Sequence, residues 1–113
     1  MKKLLEELKQ LDPACYDEIW QWSLWMEEDE RYTPNDPKYI NHRNDVIQGA
    51  CQRVIAARGW HWLLEDGDPV ITKRLFQCDI FDSGYNALKC YIGGDSPAKA
   101  ILTCYLAARK AQP

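Results

Sequence analysis

Long apolar runs are missing from this chain. No stretch of its 113 residues approaches the ~18 consecutive apolar residues that a membrane-spanning helix needs, so no segment is expected to cross a bilayer. The start, MKKLLEELKQ, has a basic tip but reaches Glu6 and Glu7 before an apolar run develops, which argues against a secretory signal. Close-spaced metal-ligand pairs are missing too. No C-x-x-C or H-x-x-x-H occurs, and successive cysteines lie 36, 27, 12 and 14 residues apart, so neither a structural zinc nor another metal is expected. Histidine is scarce, with only His42 and His61, which leaves little for a thiol–imidazole pair such as Cys78 with His61. No catalytic residue, cofactor or metal ligand is assigned from the sequence, and the chain is read as non-enzymatic. There is no excess of basic charge either: 14 Lys and Arg against 17 Asp and Glu give a formal net charge of −3, which argues against direct nucleic-acid binding. Internal repeats and low-complexity tracts are likewise absent.

What is present is unevenly placed. Residues 1–36 hold 4 basic and 10 acidic residues, net −6, whereas residues 37–113 hold 10 and 7, net +3. One end of the molecule is therefore acidic. The five cysteines, Cys15, Cys51, Cys78, Cys90 and Cys104, each sit within an apolar helix or strand pattern, as core thiols in a reducing compartment do, and a cytoplasmic location is expected. The length suits a single domain over residues 1–113.

In order along the chain, Leu4, Leu5, Leu8 and Leu11 fall at helical spacing, and Asp12-Pro13 is a cap followed by proline at a first helical position. The following CYDEIWQWSLWMEEDE predicts a second helix with Ile19, Trp22 and Met26 on one face and Trp20 and Leu24 on another. EEDERYTPND reads as a solvated connection. Asp36-Pro37 repeats the cap signal, and Val46, Ile47, Ala50, Cys51, Val54 and Ile55 form a stripe that runs toward Arg58, with Gly59 as its left-handed stop. Strands are then expected at 60–64, within 70–81, and at 85–92, with turns at Asp66-Gly67 and Asp82-Ser83-Gly84. Gly93-Gly94 breaks the sheet. Ser96-Pro97 opens a last helix with Ile101, Leu102, Tyr105 and Leu106 as its buried stripe.

The fold class is thus α+β: a three-stranded antiparallel sheet in an α-β-β-β-α unit over residues 37–108, with an added N-terminal helical pair over 1–30. The sheet is apolar on both sides and one helix pair covers only one of them, so the N-terminal helices are expected to cover the other.

Tyr32-Thr33-Pro34 ahead of a helix, Arg58-Gly59-Trp60-His61-Trp62 at the helix-to-strand junction, and Gly94-Asp95-Ser96-Pro97 followed by Ala100-Ile101 give the chain a resemblance to the small phage-encoded domains called phage ABA sandwiches. The resemblance covers about residues 32–108, and the first thirty residues depart from it. It implies a phage or prophage origin and a fold, with no chemistry attached.

The candidate site is the acid run Glu27, Glu28, Asp29 and Glu30 beside Trp20, Trp22 and Trp25. Aromatic side chains anchor interfaces and charges steer encounter, so this stretch is expected to bind a host protein complex with a basic, nucleic-acid-accepting surface. A phage inhibitor of a host nucleic-acid-targeting defence complex, of the anti-CRISPR type, would have this character. The alternative is a nucleic-acid-binding accessory domain, because α-β-β-β-α is also the order of double-stranded-RNA-binding domains. Those domains grip phosphates with a basic cluster at the start of the last helix, where this chain reads GGDSPAKA. Self-association is a further expected use of exposed tryptophan.

Overall fold

A computed structural model describes residues 1–33, 35–67 and 75–112. Helix α1 spans Lys2–Leu11, α2 Pro13–Trp22 and α3 Pro37–Ala57, with a short 3-10 helix at Leu24–Glu28. Strands β1 (His61–Asp66), β2 (Phe76–Phe81) and β3 (Ala87–Gly94) follow, then α4 (Pro97–Ala111). The strands form one antiparallel sheet in the order β1-β2-β3, so the architecture is the expected α+β unit with an N-terminal helical pair. Two expected breaks are corrected: Asp66, placed in a turn, is the last residue of β1 and pairs with Phe76, with Gly67 still donating to Leu75, and Gly93-Gly94 does not break the sheet but ends β3 opposite Gln77 and Phe76. The part of the second strand expected before Leu75 falls on residues outside the described ones.

Local chemistry sets the helix ends. Asp12, Asp36 and Ser96 each accept a backbone N–H of the helix they open, from Cys15, Lys38 and Lys99, and each is followed by proline. At the end of α3, Gly59 takes φ +75° and donates to the Ala56 carbonyl, while Trp60 donates to Ile55. That is a complete Schellman stop, and only a residue without a Cβ adopts it freely. Gly94 serves a different purpose: a Cβ there would lie 2.7 Å from the Ala100 nitrogen, so its absence lets the end of β3 pass against the first turn of α4.

Helix α4 is the centre of the core. Ala98, Ala100, Ile101, Leu102, Cys104, Tyr105, Leu106 and Ala108 are all buried, against Ile47, Ala50, Cys51 and Ile55 of α3 and Cys78 and Ile80 of β2. The four described α-helices touch in a ring, α1 on α2, α2 on α3, α3 on α4 and α4 on α1, and of these α3 and α4 carry the sheet. The expectation that the N-terminal pair covers the second face of the sheet is therefore corrected: α1 and α2 pack on the other two helices. Leu5, Leu8, Cys15 and Ile19 join the core there, and a polar clamp holds the corner. The second oxygen of Asp12 accepts from the Tyr105 hydroxyl at 2.5 Å and from Arg109 at 3.3 Å, and Arg109 also donates to the Leu11 carbonyl at 2.9 Å. One carboxylate thus caps α2 and ties the α1–α2 corner to α4.

Strand β3 departs from simple alternation. Its register against β2 shifts between Cys78 and Ile80 and again between Ile80 and Phe81. At the first shift Tyr91 takes φ +58°, and its backbone N–H donates at 2.7 Å to Asp79, a carboxylate only 8% exposed. A left-handed tyrosine costs about 1 kcal/mol or more, and the charge-assisted hydrogen bond offsets it. None of the described helices is long and apolar enough to cross a membrane.

Candidate functional site

The tryptophan segment is broken where a continuous helix was expected. Helix α2 stops at Trp22; Ser23 is fully buried with its hydroxyl donating to the Ile19 carbonyl at 2.8 Å, and the chain re-enters as the 3-10 helix. The expected faces do not hold together: on one, Ile19 is buried while Trp22, the last residue of α2, is 61% exposed, and on the other, Leu24, beyond the break, drops into the core. Trp20 is also exposed, at 42%. Trp25 is half-buried and packs edge-on against Tyr32, with centroids 5.8 Å apart.

Trp20, Trp25, Glu28, Asp29, Glu30 and Arg31 line one shallow depression of about 660 Å³. On its other side Trp20 also borders a cleft of about 410 Å³, with Tyr16, Leu24, Glu27, Glu28 and Arg43 in its wall. Trp20 and Glu28 are common to both, so the two hollows adjoin as one trough, with the basic Lys2, Lys9 and Arg43 in the wall of the cleft. Trp22 is elsewhere: it lies with His42, Val46, Gly49 and Arg53 along α3. Of the seven residues expected to act together, six border the trough and Trp22 does not.

The four acids are not equivalent. Glu27 accepts the Tyr39 hydroxyl at 2.8 Å, and burial, then this carboxylate, push the Tyr39 hydroxyl well above its ordinary range. Asp29 is held by the Arg31 guanidinium, which approaches it at 2.8–3.2 Å through three contacts, and this keeps its carboxyl below the usual value. Among the described residues Glu28 and Glu30 have no ion-pair partner. Nor has Glu27, whose Tyr39 partner is neutral, so among the described residues Asp29 alone of the four is charge-paired, and Glu28 and Glu30 are the two that no side chain engages. The Arg31 partner of Asp29 is local, two residues on, but nothing in the sequence distinguishes Glu28 and Glu30 from Glu27, whose partner Tyr39 comes near only once the chain has turned.

The thiols and imidazoles stand apart. Cys15, Cys51, Cys78 and Cys104 are buried. The Cys51 thiol is pushed well up by its hydrogen bond with Cys15 and by burial, and Cys104 is pushed up by Cys78 and by burial, so both stay protonated. His42 donates from Nε2 to the Trp22 carbonyl at 2.8 Å. His61 stacks on Tyr85 at 4.2 Å and pairs with Phe81, on the face of the sheet opposite the Leu64–Cys78 pair. His61 and Cys78 therefore point away from each other. Among the described residues no three His, Cys, Asp or Glu side chains converge to hold a metal ion.

No match came from known families, curated proteins or solved structures. The functional reading accordingly rests on the trough itself.

Proposed function

We propose that this chain acts by binding another protein, with Trp20 as apolar anchor and Glu28 and Glu30 as the charges that select the partner. The observation that carries this reading is the pairing of a 42% exposed tryptophan with two carboxylates that make no ion pair among the described residues. A partly exposed indole loses hydration readily and supplies large contact area, while neighbouring carboxylates steer a positively charged surface toward it. The partner that fits is a protein whose basic face otherwise accepts nucleic acid. An inhibitor of a host defence complex, encoded by a phage as the resemblance to ABA-sandwich domains implies, would present such a trough in the cytoplasm of the host. Binding, not catalysis, is the role that this arrangement of side chains favours.

The test is capture from host lysate with the immobilised chain, followed by mass spectrometry and competition with duplex nucleic acid. The expected result is one dominant basic partner that is displaced by nucleic acid and lost from Glu28→Lys/Glu30→Lys. Undiminished capture by that double variant contradicts the proposal.

A second reading has one observation in its favour: α3 and α4 both lie on one face of the β1-β2-β3 sheet, the layout of a double-stranded-RNA-binding unit. The start of α4, with Asp95 beside Ser96 and Lys99, offers little to a phosphate. A salt-sensitive shift of duplex RNA at physiological ionic strength would decide for it.

A further inference from the structure

Strand β1 is an edge of the sheet, and among the described residues nothing pairs with its outer side. Gly67 donates to the Leu75 carbonyl at 2.8 Å, continuing the register in which His61 faces Phe81. Hydrogen bonds alternate along an antiparallel pair, so His61, Leu63 and Glu65 turn their peptide groups to β2, and Trp62 and Leu64 turn theirs outward. An open row of this kind is a template for another strand, and natural edges are guarded by proline, charged side chains (lysine above all) or a bulge. The six residues HWLLED of β1 include neither proline nor lysine, carry acids only at one end, Glu65 and Asp66, and pair regularly with β2. Trp62 and Leu63 are instead 38% and 46% exposed.

We propose that a second copy of this chain occupies this edge, the two β1 strands running antiparallel about a two-fold axis at Leu63 to form a continuous sheet. Such an axis stands perpendicular to the sheet and preserves its faces, so it centres on a residue and sets side chains of the same face opposite one another. Centred on Leu63, Leu63 meets its own copy, Trp62 meets Leu64, and His61 meets Glu65. Apolar faces apolar, and an imidazole faces a carboxylate, in both halves at once. The neighbouring centres fail this match: an axis at Leu64 sets Leu63 against Glu65 and Trp62 against Asp66, one at Glu65 opposes two carboxylates, and one at Trp62 sets His61 against Leu63. The Leu63 centre also places the outward peptide groups of Trp62 and Leu64 opposite each other, where they close four cross-copy hydrogen bonds. The contact is one strand wide, which fits a reversible dimer better than an obligate one. The edge is separate from the Trp20 trough, so the two proposals stand or fall independently.

Sedimentation velocity of the full chain across micromolar concentrations tests it. The expected result is a concentration-dependent species of twice the 13.2 kDa chain mass. Leu63→Lys, which sets two ammonium groups against each other across the axis, should weaken dimerisation by at least about tenfold while circular dichroism and melting temperature hold. His61→Glu and Glu65→His should each weaken it, and the double variant, with the charges exchanged, should restore it. If Leu63→Lys does not fold, the exchange series decides. A chain that is monomeric throughout overturns the proposal. So does a dimer that survives Leu63→Lys, an exchange that restores nothing, or a dimer lost on Trp20→Ala or Trp22→Ala instead, which would place the contact on the helices.

Discussion

Helices α2 and α4 are both rich in apolar residues, yet they do opposite things. Over 15 residues α4 buries eight, whereas α2 over 10 buries only Cys15 and Ile19 and ends with Trp20 and Trp22 exposed. Helix α4 is wedged between the sheet, α3 and α1, so every face but one meets protein. Helix α2 packs chiefly on α1, α3 and the short 3-10 helix, and Trp20 and Trp22 stand on the side these leave open. Apolar content alone therefore says little about role. What separates a core helix from a display helix is how many neighbours surround it, and that is decided by residues far away in sequence.

The contrast can be broken most severely at the core. Leu102→Ala removes a fully buried side chain of α4 and should cost about 2–5 kcal/mol in denaturant unfolding. The next largest effect is expected at the clamp between the two regions. Asp12→Ala removes the α2 cap and leaves the Tyr105 hydroxyl and Arg109 without their carboxylate, and a loss of about 2–3 kcal/mol is expected from the cap and the stranded partners together. Burial, then Asp12, raise the Tyr105 hydroxyl above its ordinary value of 10.0. The unfolded chain thus releases that proton at lower pH than the folded one, so stability present below about pH 10 should decline as pH rises beyond it. Tyr105→Phe should flatten that decline in melts recorded from neutral to alkaline pH. The smallest effects are expected on the display side, and there they sharpen the contrast between the acids. Glu27→Lys loses the Tyr39 hydrogen bond and should cost about 1 kcal/mol, while Glu28→Lys/Glu30→Lys should leave the melting temperature unchanged.

Much of the α-β-β-β-α unit was legible because its signals act within four residues. Ser96 reaches Lys99, Asp36 reaches Lys38, and Gly59 closes on Ala56, so caps and stops could be read from spacing. The N-terminal region was less legible because its determinants are distant. Asp12 was read as a cap, and it is one, but its bond to Tyr105 spans 93 residues and no local pattern announces it. The same holds for the candidate site. Its residue types and position were readable from the sequence. That Trp22 stands apart from the trough, beside His42 and Arg53, depends on how α2 packs on α3, and that Glu27 is engaged depends on Tyr39, whereas the Arg31 partner of Asp29 lies only two residues away. The bulge at Tyr91 had no readable cause either, since it depends on Asp79 of the neighbouring strand.

Parallel determination of melting temperature and partner affinity for Trp20→Ala and Leu102→Ala tests the division between display and core most directly. Trp20→Ala should lower affinity for the captured protein by about tenfold or more, the loss of an interface anchor, and move the melting temperature by only a few degrees. Leu102→Ala should lower the melting temperature by about 10 °C or more and leave the affinity of the folded fraction intact. A Trp20→Ala chain that binds as tightly as the parent, or that melts as early as Leu102→Ala, would contradict the account.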